Sequence, residues 1–203
     1  MNARVILAGL SIAVLVSCGG DNAGSVPCGD TSAKQERVVS NFGSTLMIYN
    51  KPIDPVVQEI PSPLALNQSP TWNRFSISLQ ATYQTYSVQL KPRIEFSLFE
   101  QANACSLAPP AAKQRLTKIS ITSANDFSAS YPAGSELLNV FAWVNNDSLS
   151  LTNLLLNQPA PLKLELKLRE SPQFARQNFT IQIGLDDGNS YTLNTGDVYF
   201  ALP

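Results

Sequence analysis

The 203-residue chain carries 14 Lys and Arg against 15 Asp and Glu, a formal net charge of −1, and no histidine. Charged residues make up 14% of it, against about 25% in an average soluble domain, and no run of Lys and Arg offers nucleic acid a phosphate-binding patch. The lack of histidine excludes Ser-His-Asp and Cys-His catalysis and His-ligated zinc, while polarity supplied by Ser, Thr, Asn and Gln suits a β-rich exported protein rather than a disordered one.

The chain opens with a basic residue, Arg4, and a mostly apolar run from Val5 to Val16, followed by Ser17 and Cys18. That run has the length of a signal-peptide core and falls short of the ~18–20 residues of a membrane span. The ending Leu15-Val16-Ser17-Cys18 resembles the lipobox of bacterial lipoproteins. The resemblance implies that residues 1–17 are a signal peptide cut just before Cys18, whose thiol is diacylated and holds the chain to a membrane. In Gram-negative lipoproteins an Asp after the acylated Cys commonly retains the protein in the inner membrane. Gly19 and Gly20 follow here, so the resemblance implies the outer membrane, with the periplasmic face of the inner membrane or secretion as alternatives.

Residues 18–35 are small and polar without periodicity, as in a flexible tether. With Cys18 assigned to the lipid, Cys28 and Cys105 remain, an even number in an exported chain. One disulfide is the expected reading and two free thiols the alternative. The bridge would close a loop of about 78 residues, worth roughly 4 kcal/mol in the chain-entropy picture. Neither Cys has the spacing of a redox CxxC or a thiolate metal site.

Residues 36–203 read as a single β-sandwich, Ig-like or similar, of about seven strands with two short helices. Phe75, Ile77, Leu79 and Ala81 alternate with Ser76, Ser78 and Gln80, the period of a half-buried strand. Tyr86, Val88 and Leu90 alternate on the other parity, which predicts a bulge or turn around Tyr83–Thr85. Ile94, Phe96 and Leu98 follow Pro92 as a further strand, and Ile119 and Ile121 mark a short one. Ser135 is the predicted N-cap of a helix carrying Leu137, Val140, Phe141 and Val144, and Ser150 of a second carrying Leu151, Leu154 and Leu155. Leu162, Leu164, Leu166 and Leu168 against Lys163, Glu165, Lys167 and Arg169 give the cleanest alternation in the chain.

The last segment reads as a hairpin. Phe179, Ile181, Ile183 and Leu185 share a face with Tyr191 and Leu193 only if Asp186-Asp187-Gly188 is a three-residue loop. The apolar parity then moves to Val198 and Phe200, so a bulge is expected between Asn194 and Asp197.

The run Leu116 to Phe127, then Tyr131-Pro132-Ala133-Gly134-Ser135-Glu136-Leu137, the Leu-rich strand and the final hairpin resemble an uncharacterised family of lipoproteins best represented in Bacteroidetes-type bacteria. The resemblance implies an exported single-domain lipoprotein and carries no functional residues.

Chemistry is sparsely signalled. The chain has no G-x-S-x-G, no P-loop and no G-x-G-x-x-G, and no catalytic residue, cofactor or metal site is expected. Paired carboxylates are the remaining enzymatic route, with Glu95 and Glu165 as candidates; alternation sends both to solvent, Glu165 between Lys163 and Lys167. Asp186-Asp187-Gly188-Asn189 lacks the spacing of a calcium loop and reads as turn chemistry. Trp72, Tyr83, Tyr86, Trp143 and Tyr191 are candidate platform aromatics, though sheet packing is their ordinary role. The expected function is a membrane-anchored, non-enzymatic interaction module for an envelope protein. A sandwich binding a glycan or small apolar ligand is the alternative, and a carboxylate-dependent hydrolase ranks last.

Overall fold

The computed structural model describes residues 34–54, 59–88, 111–145 and 150–202. Cys18, Cys28, Cys105, Glu95 and the strand expected at Ile94–Leu98 lie outside the described residues. Among the described residues, eight strands form two antiparallel sheets, and helix is confined to short turns. The strands are β1 (Lys34–Ile48), β2 (Ser62–Pro63), β3 (Phe75–Val88), β4 (Leu116–Ser123), β5 (Phe141–Trp143), β6 (Lys163–Leu168), β7 (Arg176–Leu185) and β8 (Ser190–Tyr199). The larger sheet has the order β2-β1-β3-β6-β5 and the smaller β4-β7-β8. The expected mainly-β sandwich with few helices is the observed fold.

Alternation dictates what each sheet contributes to the core. Phe75, Ile77 and Leu79 of β3 and Leu164, Leu166 and Leu168 of β6 are buried on one side, Ile119 and Ile121 of β4 and Phe179, Ile181 and Ile183 of β7 on the other. Phe179 is the junction: its ring lies 5.4 Å from Phe141 edge-on and 6.3 Å from Phe75. Each such side chain contributes about 1.5–3 kcal/mol by leaving water.

The C-terminal hairpin has the expected register, with Ile183 opposite Tyr191 and Ile181 opposite Leu193. Gly188 adopts φ +87° and donates to Leu185 O, closing the three-residue loop. The expected bulge is present: Thr180 faces Asn194 while Asn178 faces Asp197, and Gly196 takes φ +71°. Ser150 caps the one α-helical turn among the described residues, α1 (Leu151–Leu155), accepting from Asn153 N at 3.3 Å.

Several expectations are corrected. The helix expected after Ser135 is a 3-10 turn, Leu138–Val140, followed by β5. Its backbone is drawn to sheet edges instead of to itself: Leu137 N donates to Ile121 O, and Phe141 and Trp143 pair with Leu168 and Leu166. Leu137, Val140 and Phe141 are buried nonetheless. No turn interrupts β3 at Tyr83–Thr85; the irregularity sits in β1, where Ser40 is extra between Val39, opposite Tyr83, and Asn41, opposite Thr82. Leu162 does not join the Leu face but is 53% exposed, because the strand begins only at Lys163, after Pro161. Residues 34 and 35, placed at the end of the tether, already belong to β1. β1 itself carries the longest pairing of the fold, yet its Val38-Val39 and Phe42 are separated by polar residues and the bulge, so no clean period marks it in the sequence.

Candidate functional site

The polar cluster with most chemistry is built around Glu165. Lys163, Glu165 and Lys167 face away from the core on β6, and β3 sets Ser78 opposite Glu165 and Ser76 opposite Lys167. That face is covered. The chain after β1 folds back over it, with Tyr49 N donating to Arg74 O, Arg74 Nε to Tyr49 O and Ile53 N to Asn73 O. Ser76 and Tyr49 are buried as a result, and the Glu165 side chain is 12% exposed.

Glu165 is therefore not the solvated charge that its parity suggests. Its Oε1 accepts from the Tyr49 and Ser76 hydroxyls, each at 2.7 Å, and Lys163 Nζ lies 3.4 Å from Oε2. Charge-assisted bonds of this kind offset the cost of withdrawing a carboxylate from water. Burial, and then the neighbouring carboxylate, hold the Tyr49 phenol well above its usual titration range, so it remains a donor. Alternation puts Ser76 on this face, but nothing local announces that Tyr49 and Ile53 pair with Asn73 and Arg74 across it.

The turn carboxylates are equally occupied. Asp187 accepts from the backbone N and Nδ2 of Asn189 and from Gln114 Nε2, which together hold its pKa below the usual value. Asp186 accepts from Arg115 N at 3.0 Å. These are turn and inter-strand contacts, and among the described residues no group of three His, Cys, Asp or Glu side chains is arranged to hold a metal.

Two shallow depressions of about 300 Å³ mark the surface. One lies between Arg37, Tyr83, Pro159, Pro161 and Leu162. There the Arg37 guanidinium sits 5.9 Å from the Tyr83 ring centre, and Tyr83 OH donates to Ala160 O. The other is bordered by Ile53, Trp72, Lys167 and Arg169 beside the Glu165 cluster. Of the candidate aromatics, Trp72, Tyr83, Trp143 and Tyr191 pack partly buried against the core, and only Tyr86 is exposed.

The outer face of the smaller sheet is a grid of hydroxyls and amides. Ser120, Gln182 and Thr192 form one row, and Thr122, Thr180 and Asn194 the next. Tyr199, opposite Arg176, is the one aromatic described on that face. No helix among the described residues is long and apolar enough to cross a membrane. No family model matches the chain, and no curated protein or solved structure matches it either.

Proposed function

We propose that the chain is an exported lipoprotein, held to the bacterial envelope by lipid on Cys18, whose β-sandwich is a non-enzymatic interaction module. Gly19 and Gly20 after the acylated residue favour the outer membrane. One observation carries the reading of the domain: Glu165, the described carboxylate with the best claim to chemistry, is committed to Tyr49, Ser76 and Lys163. A carboxylate serving as general acid, base or nucleophile must present itself to a substrate; this one faces its own scaffold. The hydroxyl and amide grid of the smaller sheet supports glycan binding as a second reading, but sugar platforms rely on stacked aromatic faces and this face has Tyr199 alone among its described residues.

The test is complementation of a strain lacking the protein by the double variant Glu95→Gln, Glu165→Gln, with its folding checked by melting. Full complementation is the expected result. A folded double variant that fails to complement would replace this reading with a carboxylate-dependent hydrolase.

A further inference from the structure

We infer that the depression between Arg37, Tyr83 and the Pro159–Leu162 wall is a binding site for a small carboxylic acid with an apolar body. The inference stands apart from the lipid anchor and gives the domain a ligand that the interaction-module reading does not name.

The site begins with an arginine on the inward face of a sheet. In the β1–β3 register Val39 lies opposite Tyr83 and Arg37 opposite Thr85. Arg37 thus shares the parity of Val39, which is buried in the core, and Tyr83 shares that of Leu79 and Ala81. An inward position ordinarily takes an apolar residue; here it takes a half-buried guanidinium, 5.9 Å from the Tyr83 ring centre. Among the described residues no carboxylate pairs with it. Glu36, beside it in the chain, is taken by Lys113 at 3.2 Å. A ring face attracts the charge but leaves the N–H donors of the guanidinium without an acceptor.

The rest of the cavity is apolar and already held in place. Ala112, Pro159, Pro161 and Leu162 line a space of about 300 Å³, at the lower end of the range for small-molecule sites. Ala112 is bridged to Arg37, and Lys113 N donates to Arg37 O. Pro159 and Pro161 carry no N–H. Ala160 N donates to Gln114 O, Ala160 O accepts from Tyr83 OH at 2.7 Å, and Leu162 O accepts from Ala81 N. A wall fixed in this way costs a ligand little ordering on binding.

That inventory chooses the occupant. One unmatched positive charge answers one negative charge, and the planar fork of arginine fits a carboxylate through two parallel bonds. A phosphate monoester or a polyanion would keep charge that the single cation does not match. A sugar would press hydroxyls against a wall whose backbone groups at Ala160 are already bonded. The end of a polypeptide would bring peptide groups with the same need for partners. A short hydrocarbon body needs none and gains by covering Leu162, which is 53% exposed.

The test titrates 4-phenylbutyrate and its neutral amide calorimetrically into the full chain in a non-ionic detergent, each variant first shown to melt like wild type. The expected Kd of the acid is about 1 mM or tighter, with the amide at least tenfold weaker. Arg37→Gln should bring the acid down to the level of the amide, and Arg37→Lys, which keeps the test open if the first variant fails to fold, should retain part of the preference. Leu162→Ser should weaken acid and amide together, and Arg169→Gln, at the other depression, should change nothing. No binding, equal binding of acid and amide, or acid binding that survives Arg37→Gln would overturn the inference. A tetrapeptide ending in leucine that binds tenfold tighter than the acid would also overturn it, by making the occupant a polypeptide end. An unmodified Cys18 would end the anchoring reading and leave these titrations as they are.

Discussion

The Tyr49 hydroxyl donates to Glu165 Oε1 at 2.7 Å across 116 residues of sequence, and Ser76 donates to the same oxygen. A bond to an ionised acceptor is worth about 1.5–3 kcal/mol. Tyr49→Phe should lose that much in urea unfolding, and Glu165→Gln less, because a neutral amide oxygen still accepts. A double-mutant cycle giving no coupling between the two sites would contradict the pairing.

The same pair has a signature in alkali. Folding holds the Tyr49 phenol above its unfolded value near 10. Its contribution is therefore complete below about pH 10 and fades as pH rises toward the folded value. Tyr83 and Tyr191 are shifted the same way by burial. Urea midpoints of the wild type should fall between pH 10 and 11.5, and Tyr49→Phe should flatten part of that fall.

Gln114 joins the two sheets at the bulge: its Oε1 accepts from Val39 N at 2.9 Å and its Nε2 donates to Asp187 at 3.1 Å. Gln114→Ala leaves Val39 N buried and unpaired, at a cost of about 1–3 kcal/mol. Asp187 and Asp197 are held below their ordinary pKa by hydrogen bonds, so their contribution is full above about pH 4 and lost as pH falls through the folded values. Stability should drop from pH 4 to pH 2, and Asp187→Asn should make the drop shallower.

What the sequence revealed depended on range. The hairpin from Phe179 to Leu193 was legible because strand parity and the Asp186-Asp187-Gly188 turn admit one pairing. The Ser150 cap was legible for the same local reason. The segment Ser135–Val144 has helical spacing, yet the β4 and β6 edges capture its backbone, and local pattern cannot report that competition. Parity puts Glu165 on the correct face of β6, but period two does not say whether another segment covers that face.

Glycine requirements separate by φ. Ala at Gly188 or Gly196, both left-handed, should cost about 1–2 kcal/mol each. Ala at Gly43, where a Cβ meets nothing within 4 Å, should be neutral or stabilising, since Gly weakens a strand interior. Thermal melts of the three variants check the contrast.

Cys28 and Cys105 lie outside the described residues, but Arg37 and Ala112 form a parallel bridge, supported by the Lys113–Glu36 ion pair at 3.2 Å. Cys28 precedes Arg37 by nine positions and Cys105 precedes Ala112 by seven, so chain length does not forbid the bridge. We expect protein lacking Cys18 to show no free thiol in denaturant and Cys28→Ser to lower the melting temperature. Two titratable thiols in freshly prepared protein would contradict the disulfide.

Where this domain works turns on the proposed lipid anchor at Cys18. Intact-mass and N-terminal peptide spectrometry of protein extracted from its own membranes addresses it directly. The expected N-terminus is Cys18 bearing a diacylglyceryl thioether, with residues 1–17 gone. A free Cys18 thiol, or cleavage at any other position, would contradict the lipoprotein assignment.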